Sequence, residues 1–360
     1  MTAEAETEQM ERLLLRQHRS ERLLATLAPF ARVMVVSHVN PDPDALASML
    51  GLKALLGHCQ PDKEVVLTVD GMIARAENRI MVESIPIPVV PVEQVPITPG
   101  TAVVMVDSQP YTGRRASEDA RPHVVLDHHE TGGVLTGVLF RDIRPHIGAT
   151  STMVTGYLLE QNVPVPPQLA TALLYGIESE SSGYPREAGP LDDGALVWLF
   201  PRADKDLLAQ IRNPKLPQSH FATVQHALVN AFLYQDVIVS WLGDVTQPDI
   251  IAELADFFIR FDQVNWSVTI GRFEDLLKLS VRVGHLGGHS GEVLREVVNG
   301  LGSAGGHDKR AGGAIRLTDT SFEAIDALLH TIRQRFLSRL GKYEHQGRRL
   351  LEACPVIQAP

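Results

Sequence analysis

Leucines recur at helical spacing through residues 1–29, at Leu13, Leu14, Leu15, Leu23 and Leu24, with charged residues between them; this predicts one amphipathic helix. From Arg32 the period changes. RVMVV reads as a buried strand, SHVNPDPD as the loop after it, and ALASMLGLKALLG as a helix ending on Gly57. EVVLTV (64–69), TAVVMVD (101–107) and HVVLD (123–127) are further β-branched apolar runs, separated by polar or helical stretches as parallel strands require. Two helices follow, over 149–160 with Thr150, Ser151 and Thr152 as capping residues, and over 166–177. The expectation is an α/β domain over 30–200, built on a doubly wound and mainly parallel sheet. Past Phe200 the pattern breaks into a Pro-rich connector with a short helix, 201–231. Fresh strands at VIVSWLG and in WSVTIGRFEDLLKLSVRV, a helix in GEVLREVVNGLG and a strand AGGAIRL then predict a smaller α/β domain over 232–345, with a tail at 346–360.

Length agrees with two domains, since 360 residues is more than one core of about 150 residues accommodates. Apolar residues at 44% and charged residues at 21% describe a globular chain. No apolar run reaches the roughly 18 residues of a membrane span, and the first residues lack a cationic signal region. Only Cys59 and Cys354 are present, so there is no disulfide framework or Cys-x-x-Cys metal pair, and a cytoplasmic setting is expected. The net charge of −10 disfavours bulk electrostatic grip on long duplex nucleic acid. Small anions at a locally basic or metal-filled site remain compatible with it.

The polar residues fall at strand ends. RVMVV runs into His38, Asn40, Asp42 and Asp44; TAVVMV ends on Asp107; HVVL ends on Asp127, His128 and His129. In an open α/β sheet ligands bind beyond the carboxyl ends of the strands, so these groups should converge. Imidazole mixed with carboxylate suits Mn²⁺, Fe²⁺ or Zn²⁺, and there are more candidate ligands than one ion needs. A pair of ions about 3.5–4 Å apart would serve displacement at phosphorus. The competing reading is structural: Asn40, Asp42 and Asp44 can cap the next helix and shape the turn at Pro41 and Pro43.

The strings SHVNPDPDALAS, VMVDS, LDHHE, YGIESESSG and GSAGGHDKRAGG, in that order, resemble the motifs of the DHH phosphoesterase family with its DHH-associated C-terminal domain, over residues 31–318. The branch it is most similar to contains nanoRNases, which degrade short oligoribonucleotides and often remove the 3′ phosphate of pAp. The resemblance implies two Mn²⁺ ions, with Mg²⁺, Fe²⁺ or Co²⁺ as alternatives. It makes His38 and Asp42 ligands of the first ion, Asp44 and His128 ligands of the second, and Asp107 the bridge. Asp127 would orient His128, leaving His129 to touch the scissile phosphate or protonate the leaving oxygen. In the fourth motif this chain has Ser179-Glu180 where the family has an Asp after a small hydroxyl residue; Glu180 is the implied ligand and Glu178 its rival.

In the last motif five glycines, a histidine and two cations would let backbone approach a phosphate. Gly305, Gly306, His307, Lys309 and Arg310, with Arg282 on the preceding strand, are the implied substrate-binding residues. Trp198, Trp241 and Trp266 read as core. The expected substrates are short single-stranded oligonucleotides or mononucleotide bisphosphates. A cytosolic cyclic- or linear-dinucleotide phosphodiesterase is the alternative, and a non-catalytic nucleotide-binding regulator the lesser one. The helix at 1–29 could pair two subunits.

Overall fold

Strands apolar at every position, rather than at alternate ones, are those that a parallel sheet buries on both faces. The computed structural model describes residues 18–73, 75–110, 121–130, 135–181, 189–284, 288–306, 308–342 and 346–351. The chain divides into two units, Met1–Pro214 and Lys215–Pro360.

In the first unit the described elements are α1 (Arg19–Leu27), β1 (Arg32–Val36), α2 (Pro43–Cys59), β2 (Glu64–Val69), α3 (Ala76–Ser84), β3 (Val89–Pro91), β4 (Thr101–Val106), β5 (Val124–Asp127), β6 (Phe140–Ile143), α4 (Thr150–Glu160), α5 (Pro167–Ser181), α6 (Pro190–Leu199) and α7 (Lys205–Arg212). The sheet order is β3-β2-β1-β4-β5-β6 and every pair is parallel. Val33, Val35, Val104 and Val106 face a core completed by Leu46, Leu52, Val154 and Leu173 from α2, α4 and α5. Met34, Val36, Val103, Met105 and Val125 form a smaller core on the opposite face with Val95. The chain runs outward from β1 to β3 and then returns to β4 on the other side of β1. Connections therefore leave β1 and β4 in opposite directions, which opens a crevice at their carboxyl ends.

Three helices crowd that crevice from one side. A Cβ on Gly176 of α5 would stand 2.6 Å from Ser151 Oγ, 3.1 Å from Ala47 Cβ and 3.2 Å from the Pro43 carbonyl, so only a glycine lets α5 approach α2 and α4 this closely.

Helix α1 buries Ser20, Leu23 and Leu27. The Arg19 guanidinium pairs with buried Asp142, which also accepts from Arg144 and Tyr157, and the Ser20 N–H donates to Glu160. Leu23 and Leu27 thus belong to the unit's own core, while residues 1–17 of the expected helix lie outside the described residues.

In the second unit α8 (Gln218–Val229), β7 (Ala231–Tyr234), β8 (Val237–Asp244), α9 (Ile250–Phe258), β9 (Trp266–Phe273), β10 (Leu276–Val283), α10 (Ser290–Val297), β11 (Ser303–Gly306), β12 (Arg310–Arg316), α11 (Phe322–Arg339) and β13 (Arg348–Arg349) follow. The sheet order is β11-β12-β10-β9-β8-β7-β13. One face buries Val268, Leu279, Val281 and Val283 against α10 and α11, and Trp266 stacks edge-on against Phe336. On the other face α8 and α9 cover β7 to β10, where Thr269 donates to the Ile251 carbonyl and Ser240 to the Ala227 carbonyl.

Residues 201–231, read above as a connector, are shared between the units: α7 packs on α3 and α5, α8 on β8. The expected tail contributes β13, paired with β7. The glycine-rich segment, of which AGGAIRL is the predicted strand, forms both β11 and β12, because small residues let two backbones pair closely. Among the described residues no helix is long and apolar enough to cross a membrane.

Gly176→Ala should cost about 1–3 kcal/mol of stability, the usual penalty of forcing a methyl group into a packed core. Urea unfolding of the full chain checks this, and a wild-type midpoint would show that α5 can shift freely.

Candidate metal centre

The crevice at the ends of β1 and β4 is shaped by two residues in left-handed backbone, Asn40 at φ 59° and Asp107 at φ 52°. Asn and Asp tolerate this conformation better than other side chains. Asn40 donates its N–H to the Asp70 carbonyl (2.9 Å) and accepts from the Met72 N–H at Oδ1 (2.7 Å). Gly71, itself at φ 73°, is required there, since a Cβ would stand 2.3 Å from Asn40 Oδ1. The end of β2 thereby holds the loop that carries His38 and Asp42. The Asp107 N–H donates to the Leu126 carbonyl, joining the ends of β4 and β5.

Three strand-end histidines, His38, His128 and His129, and two residues at the start of α2, Asp42 and Asp44, meet around the Asp107 carboxylate. Its Oδ2 lies 3.4 Å from His38 Nε2, and its Oδ1 lies 3.4 Å from His128 Nε2. Asp42 Oδ2 is 3.6 Å from the same His38 nitrogen, and Asp44 Oδ2 is 3.9 Å from the same His128 nitrogen. The ligand atoms of His38, Asp42 and Asp107 lie within 4.8 Å of one another, as do those of Asp107, His128 and His129. Each imidazole is aimed by its second nitrogen: His38 Nδ1 donates to the Val39 carbonyl (3.0 Å) and His128 Nδ1 to the Ile147 carbonyl (3.2 Å). Asp127 does not supply the orienting contact expected for His128. Its Oδ1 accepts instead from His129, at Nδ1 (2.8 Å) and the backbone N–H (3.2 Å). The His128 ring lies with its Nδ1 toward the 144–147 segment, leaving a backbone carbonyl to orient it.

The capping reading holds for Asp42 and not for Asp44. Asp42 caps α2 through Oδ1, which accepts from the Ala45 N–H. Asp44 caps α4 rather than α2: the N–H groups of Thr150 and Ser151 donate to Oδ2 and Oδ1, both at 2.7 Å. These are free donors of a helix N-terminus, and a carboxylate satisfies them well. The Thr150 hydroxyl donates to Asp107 Oδ1 (3.1 Å). Sequence reading assigned Thr150 and Ser151 to their own helix cap. Their partners lie more than a hundred positions away for Asp44 and over forty for Asp107, which no local signal announces.

Electrostatics follow from burying carboxylates together. Burial alone would lower the pKa values of the two histidines, but Asp107 and its neighbours outweigh it, raising His38 well above the ordinary histidine value and His128 to about 10. Burial pushes the Asp44 carboxyl well up and the Asp107 charge adds to this. For Asp107 burial acts in the same direction, but the approach of the His128 and His38 imidazoles prevails and holds it well below the carboxylate range. Asp42 is likewise lowered, His38 overcoming burial and the Asp107 charge. Glu180 contributes charge to Asp44 and His128. Glu178, its rival, is bound at both oxygens by Arg212.

Among the substrate-side residues, Arg282 is 6% exposed and donates to Asp256 through Nε and Nη2 and to Ser280 through Nη1. Its guanidinium is built into the second unit, an arrangement that sequence reading missed because the helix carrying Asp256 was not among the elements it predicted. Lys309 donates to the Gly284 carbonyl (2.7 Å). Gly305 pairs with Gly312 across β11 and β12, and both are exposed. Gly306 sits in the same hairpin beside Arg310, whose carbonyl would be 2.4 Å from a Cβ there. His307 lies outside the described residues.

The donors fit divalent cations. Imidazole nitrogens and carboxylate oxygens are the ligands of Mn²⁺, Fe²⁺ and Zn²⁺. His128 Nε2 and Asp127 Oδ2 are buried with no hydrogen-bond partner, and several buried carboxylates face one point, a charge that cations offset.

Residues 32–177 match the DHH family, N-terminal domain. MJ1633, an uncharacterised protein of Methanocaldococcus jannaschii, is 27% identical over 88% of this chain and 66% of its own length. The cyclic-di-AMP phosphodiesterase GdpP of Geobacillus thermodenitrificans is 27% identical over 88% of this chain and 49% of its own. This chain therefore spans less than two thirds of either relative. The crystal structure of an exopolyphosphatase-related protein from Bacteroides fragilis superposes with a TM-score of 0.71 at 17% identity, covering 90% of this chain and 98% of that one, and it shares the two-unit fold.

Metal ligation requires neutral imidazoles, so cation binding near neutral pH should release protons from His38 and His128. Calorimetric titration with Mn²⁺ in buffers of different ionisation enthalpy should show at least about one proton released per chain, with affinity rising from about pH 6 to pH 9. The metal-free protein has the opposite trend. A folded-state His128 pKa of about 10, above the unfolded value, stabilises the fold at low pH, and this contribution is lost as the pH rises through about 10. No proton release on binding would overturn the ligand assignment.

Proposed function

Residues 32–177 being the N-terminal domain of the DHH family, we propose that the chain is a two-metal phosphoesterase that hydrolyses short oligonucleotides from an end and takes the 3′ phosphate of pAp as a further substrate. The observation that carries this reading is the division of the Asp107 carboxylate, one oxygen toward His38 and the other toward His128. A carboxylate so divided can bridge two cations.

On this reading His38, Asp42 and Asp107 Oδ2 hold the first ion; Asp107 Oδ1, His128, Asp44 and Glu180 serve the second. Mn²⁺ is the proposed metal, with Mg²⁺, Fe²⁺ or Co²⁺ as substitutes. When bound, such a pair activates water and neutralises charge on the phosphoryl group. His129 stands beside Asp107, its Nδ1 held by Asp127, so that Nε2 can deliver a proton to the leaving oxygen. Because Asp127 accepts from Nδ1–H, His129 would give up the Nε2 proton as the imidazolium and return to the neutral tautomer with its proton on Nδ1. Glu180 is preferred to Glu178 because its charge acts on Asp44 and His128, whereas Glu178 pairs with Arg212.

In the second unit the exposed Gly305–Gly312 strip, with Gly306, Lys309 and Arg310, is the proposed grip on the substrate, and His307 is proposed with them from its place in the motif alone. Arg282, fixed by Asp256, would shape its floor. A second reading, cyclic- or linear-dinucleotide phosphodiesterase, draws on the similarity to GdpP over 88% of the chain.

Two experiments test this. End-labelled RNA from the dinucleotide upward, with pAp and cyclic dinucleotides in parallel, should give a product ladder fastest for the shortest RNAs. Exclusive turnover of cyclic dinucleotides would instead establish the second reading. Asp107→Ala should lower kcat/KM by more than the ~10–100-fold typical of losing an outer partner of a metal ligand, and Glu180→Gln should be far more damaging than Glu178→Gln. Full activity of Asp107→Ala after exhaustive chelation would defeat the two-metal proposal, and the reverse ranking of the glutamates would move the ligand to Glu178.

A further inference from the structure

Asp192 lies on α6, far in sequence from every strand-end motif, and is fully buried. Its carboxylate accepts from three groups. Oδ2 takes the Gly148 N–H (2.8 Å) and the Gly189 N–H (2.8 Å), and Oδ1 takes the Thr152 hydroxyl (2.6 Å). The bond to Gly189 caps its own helix. Those to Gly148 and Thr152 reach across to the start of α4 and grip it on both sides of Thr150.

That short stretch does more for the centre than any other segment. Ile147 orients His128 through its carbonyl; Thr150 and Ser151 hold both oxygens of Asp44; the Thr150 hydroxyl holds Asp107 Oδ1. His128, Asp44 and the Oδ1 atom of Asp107 all belong to one side of the centre, while Asp107 Oδ2 faces the other. The opposite side is fixed by other means: His38 by Val39, and Asp42 by Ala45.

We propose that Asp192 is a positioning residue for the second metal position, acting by hydrogen-bond geometry through residues 147–152, and that the first position is independent of it. This rests on the two-metal reading. Asp192 touches neither ligand atoms nor substrate; its effect is to hold the peptide that aims His128, Asp44 and one oxygen of Asp107 at a common point. An outer partner of this kind is worth about 10–100-fold in metal affinity.

The prediction distinguishes geometry from charge. Asp192→Ala removes all three acceptor contacts. Asp192→Asn keeps them in altered form, because the amide oxygen accepts from Gly148 and Gly189 while the amide NH₂ donates to the Thr152 hydroxyl, which can accept. The test is titration of the metal-free full chain with Mn²⁺, followed by electron paramagnetic resonance and calorimetry, with thermal unfolding of the metal-free proteins as a control. Wild type should bind two ions and show a spin-coupled pair. Asp192→Ala should bind the first ion as wild type does, giving an uncoupled signal, with the second weakened about 10–100-fold. Asp192→Asn should restore the coupled pair.

Wild-type binding of both ions by Asp192→Ala would overturn the proposal. So would equal weakening of both positions in a folded variant, or failure of Asp192→Asn to restore the pair, which would assign the effect to charge. If Asp192→Ala does not fold, Thr152→Val removes one of the contacts and should still weaken the second ion several-fold; unchanged affinity there would be equally decisive against it. Binding of a single ion by wild type itself would defeat the two-metal reading, a result distinct from all of these.

Discussion

The centre depends on a carboxylate buried between two imidazoles. Asp107 is 3% exposed and makes its closest ionic approaches to His38 and His128, each at 3.4 Å from a different oxygen. A carboxylate in that position cannot be left uncompensated, because burying unpaired charge is costly. In the absence of cations the compensation is protons held on the histidines, which is why both have raised pKa values. Divalent ions would replace those protons at the same place. The ligand geometry, the proton balance and the charge on Asp44 are therefore consequences of one arrangement.

The sheet makes the arrangement possible. His38, Asp107 and His128 follow the strands β1, β4 and β5, adjacent in the order β2-β1-β4-β5. Because β1 and β4 are neighbours whose connections leave in opposite directions, their ends face a gap rather than a crossover. The left-handed backbone at Asn40 and Asp107 turns the chain into that gap. Helix α4 closes it from one side, presenting N–H groups that a carboxylate can accept. Close packing of α5 on α2 and α4 through Gly176 then places the turn bearing Glu178 and Glu180 nearby.

The second unit shows the same chemistry of pairing with a different result. A cation buried on β10 has an acid supplied by α9, and the Arg282–Asp256 pair becomes part of the framework. The open surface of that sheet lies one strand further on, where Gly305 and Gly312 oppose each other without side chains. Helices α8 and α9 cover β7 to β10 on that face and leave Gly305 and Gly312 exposed.

Much of this was legible in the chain itself. Continuous β-branched runs declared β1, β2, β4 and β5, because a strand buried on both faces has no polar side to alternate with. Polar residues directly after those runs declared His38, Asp42, Asp107 and His128, since strand ends in a parallel sheet face one edge. Short strands such as β3, three residues with a proline, and the helices α6 and α11 lacked so clear a period and emerged only from packing. The tertiary structure alone decided which acid orients which histidine, which helix Asp44 caps, and that Glu178 pairs with Arg212. Those choices are made by hydrogen bonds between residues tens to more than a hundred positions apart, and sequence spacing carries no record of such partners.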